Sequence, residues 1–557
     1  MGTGLLSIGT RAMFANYAAL QTTGNNISNA NTPGYSRQTV ELESAGGQFN
    51  GAGFFGKGVN VTTVSRAHNE FLTREAAGAR SMAAYDEARS SQLQQLESVF
   101  VTGEQGLGYA SGQFLNAFVD VANHPTDISA RQVVLARATD LAAKFRTAGE
   151  QIDSLQSNVT TDLKGAITAV NTMAQRVADI NRQIAANQGT GHEPNDLLDQ
   201  RDQLISDIGS YVQVTTIPAD DGSVSLFIGG GQRLVLGGQA STLAAVPDVY
   251  NPLAVHVGMV EASGTNALPD DIFSGGSMAG LLRFQNDDLA DARNLLGQMA
   301  AALAGRVNEQ QALGLDLSNP AASGAAIFSV GAPGVAPASS NAKDVAGNDV
   351  ASYINGSGTR VSSVSLTITS VSDLQASDYE LRNDPATPGA FQIKRLSDGQ
   401  TTTINSGDVI DGFQVNVVAP LPAAGDRFLL SPVGSAALNM KRVLDDPKGI
   451  AAASPITASV GVNNSGTATV ADVHATSTAI NPQLTATLTF TSDTGDYSWE
   501  LRDATTGVLA SSGTATWQAG QPISLNGWQM TLNGVPKTGD SVVVQKTAFP
   551  SSNNGNA

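Results

Sequence analysis

Gly24-Asn25-Asn26-Ile27-Ser28-Asn29-Ala30-Asn31-Thr32-Pro33-Gly34-Tyr35-Ser36-Arg37 is the stretch on which the reading of this chain turns. Upstream of it, apolar residues fall at Leu6, Met13, Leu20 and Ile27, one heptad apart, with Tyr17 beside that line. A seam at the coiled-coil period faces a partner helix, so the pattern predicts an amphipathic helix with an unfilled side. Asparagine tolerates left-handed backbone and bonds its own turn. Pro33 cannot continue a helix, and Gly34 allows positive φ. The stretch therefore predicts a sharp exit from helix into extended chain, an element suited to assembly.

Moving outward, 557 residues are too many for one core and predict three to four domains. Charged residues make up only 14% while glycine reaches 58, a β-rich composition with many turns. Net charge is −18 and no basic cluster of five or more occurs, which argues against nucleic acid and anionic membranes as partners. Cysteine is absent, excluding disulfides, thiolate catalysis and thiolate metal sites. No apolar run is long enough to insert in a membrane, and the N-terminus lacks the pattern of a cleaved signal.

Residues 41–65 suggest a small hairpin, followed by a helix from about Arg66 to Phe100 carrying Phe71, Leu72, Met82, Tyr85, Leu93 and Leu96. Thr102–Gly112 reads as a glycine-punctuated loop, and Pro125-Thr126-Asp127 as the N-cap of the longest helix. There the apolar positions Val134, Ala138, Leu141, Phe145, Ala148, Ile152, Leu155 and Val159 alternate steps of four and three. Leu163 adds a second four, a stutter, and the pattern resumes through Ala166, Val170, Met173, Val177, Ile180 and Ile184. Such a helix is about 90 Å long. After a Gly-Thr-Gly loop (189–191), a capped helix covers Asn195–Ile205. Strands then follow to Val257, and helix returns from about Met278 to Leu313.

Beyond Ala332 the chain reads as strands with a degenerate repeat. Asp378-Tyr379-Glu380-Leu381-Arg382 is echoed at Asp496–Arg502, Asp411-Gly412-Phe413 at Asn526-Gly527-Trp528, and Gly425-Asp426 at Gly539-Asp540. Ala436–Pro455 between the copies reads as briefly helical. The fold class is α+β multidomain, a long helical coiled-coil-like rod with inserted antiparallel β domains. Its expected parts are an axial helix and motif (1–40), a helical rod with hairpin (41–211) and an inserted β segment (212–277). A helix returning to the rod (278–330), an outer β domain (331–435), a helical connection (436–456) and a second, related β domain (457–557) complete it.

Chemistry is not announced. His68, His124, His192, His256 and His474 lie far apart without metal-ligand spacing, so capping or solvated roles are expected. Gly229-Gly230-Gly231 opens a strand rather than a helix. Asp270-Asp271 and Asp287-Asp288 lack calcium-loop spacing and read as solvated faces. No catalytic residues, cofactor or metal are assigned.

The opening stretch, Leu20 through Arg37 and above all Asn25, Asn26, Ser28, Asn29, Asn31, Thr32, Pro33, Gly34 and Tyr35, resembles the N-terminal signature of bacterial flagellar axial proteins. The long helices, Asn195–Ile205, Gly222–Gly237 and the helix from Gly275 further resemble the hook-associated protein 1 (FlgK) family of hook–filament junction subunits. The resemblance implies a secreted structural subunit that polymerises at the distal end of the hook. It implies contacts with copies of itself, the hook protein and the next hook-associated protein, and passage through the flagellar type III export apparatus. In the family the N-terminal helix pairs with a C-terminal one, whereas this sequence stops after Asn554-Gly555-Asn556-Ala557. The seam is then expected to lack its intramolecular partner, and docking of an export chaperone at that end is not expected. A lone helix of about 25 residues is marginal in water. Residues 1–30 are thus expected to be unordered, or held by the rod or another copy. Two other readings are an adhesin, with ligand-binding outer β domains, and a glycan-processing enzyme. The latter needs two carboxylates about 5–9.5 Å apart in one pocket, and aromatics at 5% announce none.

Overall fold

The computed structural model describes residues 2–49, 51, 53–187 and 193–557; His192 and the 189–191 loop lie outside them. Seven α-helices are described: α1 (Gly2–Ser28), α2 (Glu70–Val99), α3 (Leu107–Asn123), α4 (Ile128–Asn187), α5 (Asn195–Tyr211), α6 (Ser277–Arg283) and α7 (Leu289–Leu313). With many antiparallel sheets between and after them, the fold is α+β and multidomain. The chain divides into two compact units, Met1–Leu96 with Ser154–Ala290, and Glu97–Asp153 with Asp291–Ala557.

Helix α4 runs 60 residues and is capped as expected, the Asp127 carboxylate accepting the Ser129 amide at 2.7 Å. Its seam is buried from Val134 to Ile184, except that Ala174 replaces Met173 on the buried line. The swap is local, since Val170 and Val177 remain seven residues apart and the register beyond them is unchanged. Helix α2 begins at Glu70 rather than near Arg66, which ends a strand, and of the apolar residues expected on it Phe71, Leu72, Met82 and Leu93 are exposed while Leu96 is buried. Its buried line is carried partly by Ser81 and Gln92, which an apolar count passes over. The loop expected at Thr102–Gly112 shrinks to one 3₁₀ turn at Gly103–Gln105. Helix α3 begins at Leu107 because Ala110, Phe114, Ala117 and Val121 supply a helical stripe that outweighs Gly108 and Gly112.

In the first unit, β1 (Gln38–Ser44) pairs antiparallel with the strand Val59–Arg66, Gln38 opposite Arg66, with a bulge between Glu41 and Leu42. Between them β2 (Gln48–Phe49) and β3 (Phe54–Phe55) close the tip, making Val59–Arg66 β4. The inserted β segment is a four-stranded sheet, β5 (Val214–Pro218), β6 (Val224–Ile228), β7 (Gln232–Leu236) and β8 (Gln239–Ala240), in sequence order. Beside it in the chain, β9 (Leu243–Pro247), β10 (Val255–Glu261) and β11 (Gly264–Ala267) form a three-stranded sheet with β10 central. Two asparagines of α4 seat this segment. Asn171 exchanges both amide bonds with Leu243 at 2.8 Å, and Asn181 donates to the Val224 and Gly237 carbonyls while accepting the Val224 amide. The fully buried Asn181 is tolerated on α4 because both its oxygen and its amide group are paired.

The helix expected over Met278–Leu313 is interrupted by a π turn at Phe284–Asp288. The wider turn rotates the face that follows, so Leu295 and Met299 are exposed while Leu289, Ala292, Leu296, Ala300 and Ala304 are buried. In the second unit, Arg131 at the start of α4 is only 1% exposed. It donates from Nε and Nη2 to the Pro125 carbonyl and from Nη1 to that of Ile450 at 2.5 Å.

The strands of the second unit are β12 (Phe328–Ser329), β13 (Gly334–Pro337), β14 (Ser352–Ile354), β15 (Arg360–Ser362), β16 (Val364–Ile368), β17 (Tyr379–Asn383), β18 (Phe391–Arg395), β19 (Thr401–Ile404), β20 (Val409–Ile410), β21 (Phe413–Val417), β22 (Arg427–Ser431) and β23 (Lys441–Arg442). The set continues with β24 (Ile456–Val460), β25 (Thr469–Ala475), β26 (Leu484–Phe490), β27 (Asp496–Asp503), β28 (Leu509–Thr516), β29 (Ile523–Leu525), β30 (Trp528–Asn533) and β31 (Ser541–Lys546). One module has sheets ordered β13-β22-β17-β18-β19 and β16-β21-β20, the other β24-β31-β26-β27-β28 and β25-β30-β29. Setting the β14–β15 hairpin aside, the two orders agree strand for strand.

Two of the three sequence matches fall on equivalent strands. Asp411-Gly412 and Asn526-Gly527 form the same tight hairpin turn, with φ of 45° and 82° in one and 44° and 75° in the other. Positive φ at both central residues is the type I′ signature that Asp-Gly and Asn-Gly favour. Asp426 and Asp540 are both 2% exposed and accept backbone amides. The third match is displaced: Asp378–Arg382 lies on β17, whose equivalent is β26, while Asp496–Arg502 lies on β27. Alternating strands of one sheet share a pattern, so local similarity alone slips by a strand. The connection between modules is not helical, holding only β23 and a 3₁₀ turn at Pro447–Gly449. Its backbone is bonded outward instead, Val443 N to Ile327 O, Ala451 N to the Gln311 side chain and Leu315 N to Ala453 O. Pro447 and Pro455 also remove helix donors.

Candidate assembly site

Helix α1 lies on the strands of its own hairpin. Ala15 is buried, Ile8 sits against Gly58, and Arg11 donates to the Asn60 side chain at 2.8 Å. Residues 2–28 are thus helical, and within the chain they pack on the neighbouring hairpin. A partner a few residues away closes a short loop at little entropic cost. The heptad line faces the other way. Leu6 is 75% exposed, Met13 68%, Tyr17 65%, Leu20 72% and Ile27 72%, so the seam has no partner among the described residues.

The motif after the seam is a sequence of turns. Ser28 Oγ donates to the Gly24 carbonyl and the Asn29 amide group to that of Asn25. Asn29 Oδ1 accepts from Thr32 Oγ1, and exposed Asn31 lies within the turn. Thr32-Pro33-Gly34-Tyr35 closes with the Tyr35 amide on the Thr32 carbonyl at 3.2 Å, and Gly34 has φ of 79°. Proline followed by positive-φ glycine gives a type II turn. Asn26 then ties the emerging strand to the helix: Nδ2 donates to the Gln38 carbonyl, while Oδ1 accepts from the Gln38 amide and the Tyr35 hydroxyl at 2.9 Å. Burial first, then the Asp196 and Asp199 carboxylates, hold the Tyr35 phenol above its ordinary value, so it remains a donor.

A cleft of about 540 Å³ opens beside this turn, lined by Asn25, Asn29, Thr32, Pro33, Tyr35 and Arg176 among others. Across it stands a face of α5 that sequence reasoning read only as a capped helix. Asp199 Oδ2 accepts the Ser36 amide at 2.9 Å, and Arg66 Nη1 bridges Asp199 Oδ1 at 3.1 Å and Asp202 Oδ2 at 2.7 Å. The available signal was Asp196, Asp199 and Asp202, carboxylates three residues apart on one helical face.

Elsewhere the acidic pairs divide, Asp271 being exposed while Asp270, Asp287 and Asp288 are partly buried and paired. His256 lies between Asp270 (Nδ1, 2.6 Å) and Asp248 (Nε2, 3.0 Å), and Asn286 also donates to Asp270. Hydrogen bonds to Asp248, then Asp270, push the imidazole up to about 10. Asp288 takes Arg89 through both oxygens and Asp287 pairs with Arg283. Among the described residues no cluster of metal-ligating side chains occurs and no helix is long and apolar enough to cross a membrane.

An exposed heptad helix, an asparagine-rich turn, long helices and paired β modules occur together here, and the matches that follow place the chain among the structural proteins of the bacterial flagellum. The basal body rod protein model matches residues 6–35, the FlgK helical-domain model residues 93–328, and the D2-like domain of hook-associated protein 1 residues 353–432. Flagellar hook-associated protein 1 of Escherichia coli K12 is 31% identical over 458 residues, covering 81% of this chain and 80% of that protein. That of Salmonella typhimurium LT2 is 32% identical over 444 residues, covering 78% and 76%. The flagellar hook junction protein FlgK of Burkholderia pseudomallei superimposes with a TM-score of 0.71 at 25% identity, over 87% of this chain and 89% of that one. The chain belongs to the flagellar hook-associated protein 1 family, structural proteins of the junction between hook and filament.

Proposed function

We propose that this chain polymerises on the distal end of the hook through its α1 seam, joining copies of itself and giving the next hook-associated protein a platform. It reaches that position outside the cell through the flagellar export apparatus and works without catalysis. Within the proposal residues 1–40 are the axial part, 41–211 and 278–330 the rod, and the two β domains the outer layer. The carrying observation is the line Leu6, Met13, Tyr17, Leu20 and Ile27 exposed together on an ordered helix. Five large apolar side chains on one face are costly to leave in water, and burying each on a partner contributes about 1.5–3 kcal/mol. The axial motif supports the reading by holding that helix in a fixed exit.

The test is a Leu20→Glu variant introduced into cells lacking the gene. The isolated protein should keep its helicity and unfolding curve, because Leu20 touches no core. Cells should retain hooks, lose filaments and shed monomeric filament protein. Normal filaments would end the seam reading.

A further inference from the structure

We propose that the carboxylate ladder Asp196–Asp199–Asp202 of α5, with Arg66, is a positioning clamp that sets the direction in which α1 presents its seam; this rests on the seam reading above. The ladder grips both strands of the hairpin at their base. Asp196 Oδ1 faces Gln38 Nε2 at 3.4 Å, Asp199 Oδ2 holds the Ser36 amide, and Arg66 at the end of β4 is shared between Asp199 and Asp202. His68 Nε2 stands 3.7 Å from Asp202, and Asn195 Nδ2 donates to the Val64 carbonyl at 2.7 Å. The side chains of Arg66 and Asp199 are 11% and 8% exposed, so solvent screens the pair little.

From the clamp the constraint passes on without a flexible joint. Gln38, held by Asp196, exchanges both backbone bonds with the Asn26 amide inside the last turn of α1. Gly34 is pressed so near α5 that a Cβ there would lie 2.9 Å from Gln203 Cβ. A rod helix, the turn and α1 therefore form one connected unit, tied to the ladder through the ion pairs of Arg66. None of these α5 residues touches the seam, so their part in assembly is orientation alone.

The natural absence of cysteine permits a direct test. Spin labels at Ser7→Cys on α1 and Thr168→Cys on α4, both exposed, report the direction of α1 in the full chain. With Arg66 and Asp199 intact the distance distribution should have one narrow maximum. Arg66→Met and Asp199→Asn should each lose it, while exchange of the Ser36 and Gln38 amides rises roughly ten- to a hundredfold, as losing a charge-assisted bond predicts. Arg66→Lys should restore most of the narrow maximum. Unchanged distances and exchange in Arg66→Met and Asp199→Asn overturn the clamp. So does a broadened distribution in cells that still build junctions at the normal rate. Leu20→Glu should leave the distance intact while stopping assembly. If it assembles normally, the seam reading fails, and the distances still decide whether the clamp exists.

Discussion

Replacing Asp540 by asparagine should destabilise the second β module and leave the first untouched. The Asp540 carboxylate accepts the Ser465 amide at 2.7 Å, the Gly466 amide at 3.0 Å and the Lys537 amide at 2.9 Å, all away from solvent. Asparagine keeps one acceptor oxygen but turns an NH₂ group toward amide donors. One buried amide loses its partner and the remaining bonds lose their charge assistance, together costing about 2–4 kcal/mol. Burial alone raises the pKa of this carboxyl, but the amides of Lys537, Ser465 and Gly466 outweigh it and hold the group below its ordinary 3.8. A depressed folded-state value contributes stability above the unfolded value and loses it as pH falls through the folded one. Wild type and variant should therefore converge in acid. The readout is unusually selective, because all three tryptophans, Trp499, Trp517 and Trp528, lie in this module and none in its twin. Denaturant titration followed by tryptophan emission should show the loss for Asp540→Asn and no shift for Asp426→Asn. A loss under about 0.5 kcal/mol, within the scatter of surface changes, would refute the reasoning, as would equal shifts from the two variants.

His256→Gln should remove a pH-dependent increment of stability. With the folded-state value raised from 6.5 to about 10, that increment is fully present below 6.5 and fades as pH climbs toward 10, so thermal unfolding of wild type and variant should converge at the alkaline end. Gly276→Ala should cost about 3–5 kcal/mol in denaturant unfolding, since φ is 82° and the added Cβ would lie 2.3 Å from the Tyr211 carbonyl carbon. Gly230→Ala, with φ of 70° and open space around it, should cost only about 1–2 kcal/mol in the same measurement. Leu20→Glu, with its filament count, and Arg66→Met, with its spin-label distances, test the assembly site.

Where one physical effect dominates, the chain can be read directly. The seam of α4 is legible because a buried stripe repeated over 60 residues leaves few alternatives. The Asp-Gly and Asn-Gly turns are legible because few residues accept positive φ at both central positions. Helix α3 was hidden by glycines whose propensity cost its packed face offsets. The face of α7 was misplaced because a π turn leaves no mark in apolar spacing.

At the candidate assembly site the same division holds. The sequence by itself determined that residues 6–27 carry a heptad seam and that Pro33 and Gly34 turn the chain, since both follow from local periodicity and backbone sterics. Only the tertiary structure decided that the seam stays outward while the opposite face lies on the hairpin. It alone brought Arg66 to Asp199 and Asp202, more than a hundred residues away in the chain, and Asn171 and Asn181 to the β segment they hold. Such pairings depend on where separate elements meet, and a polar side chain gives no periodic signal of the partner that satisfies it.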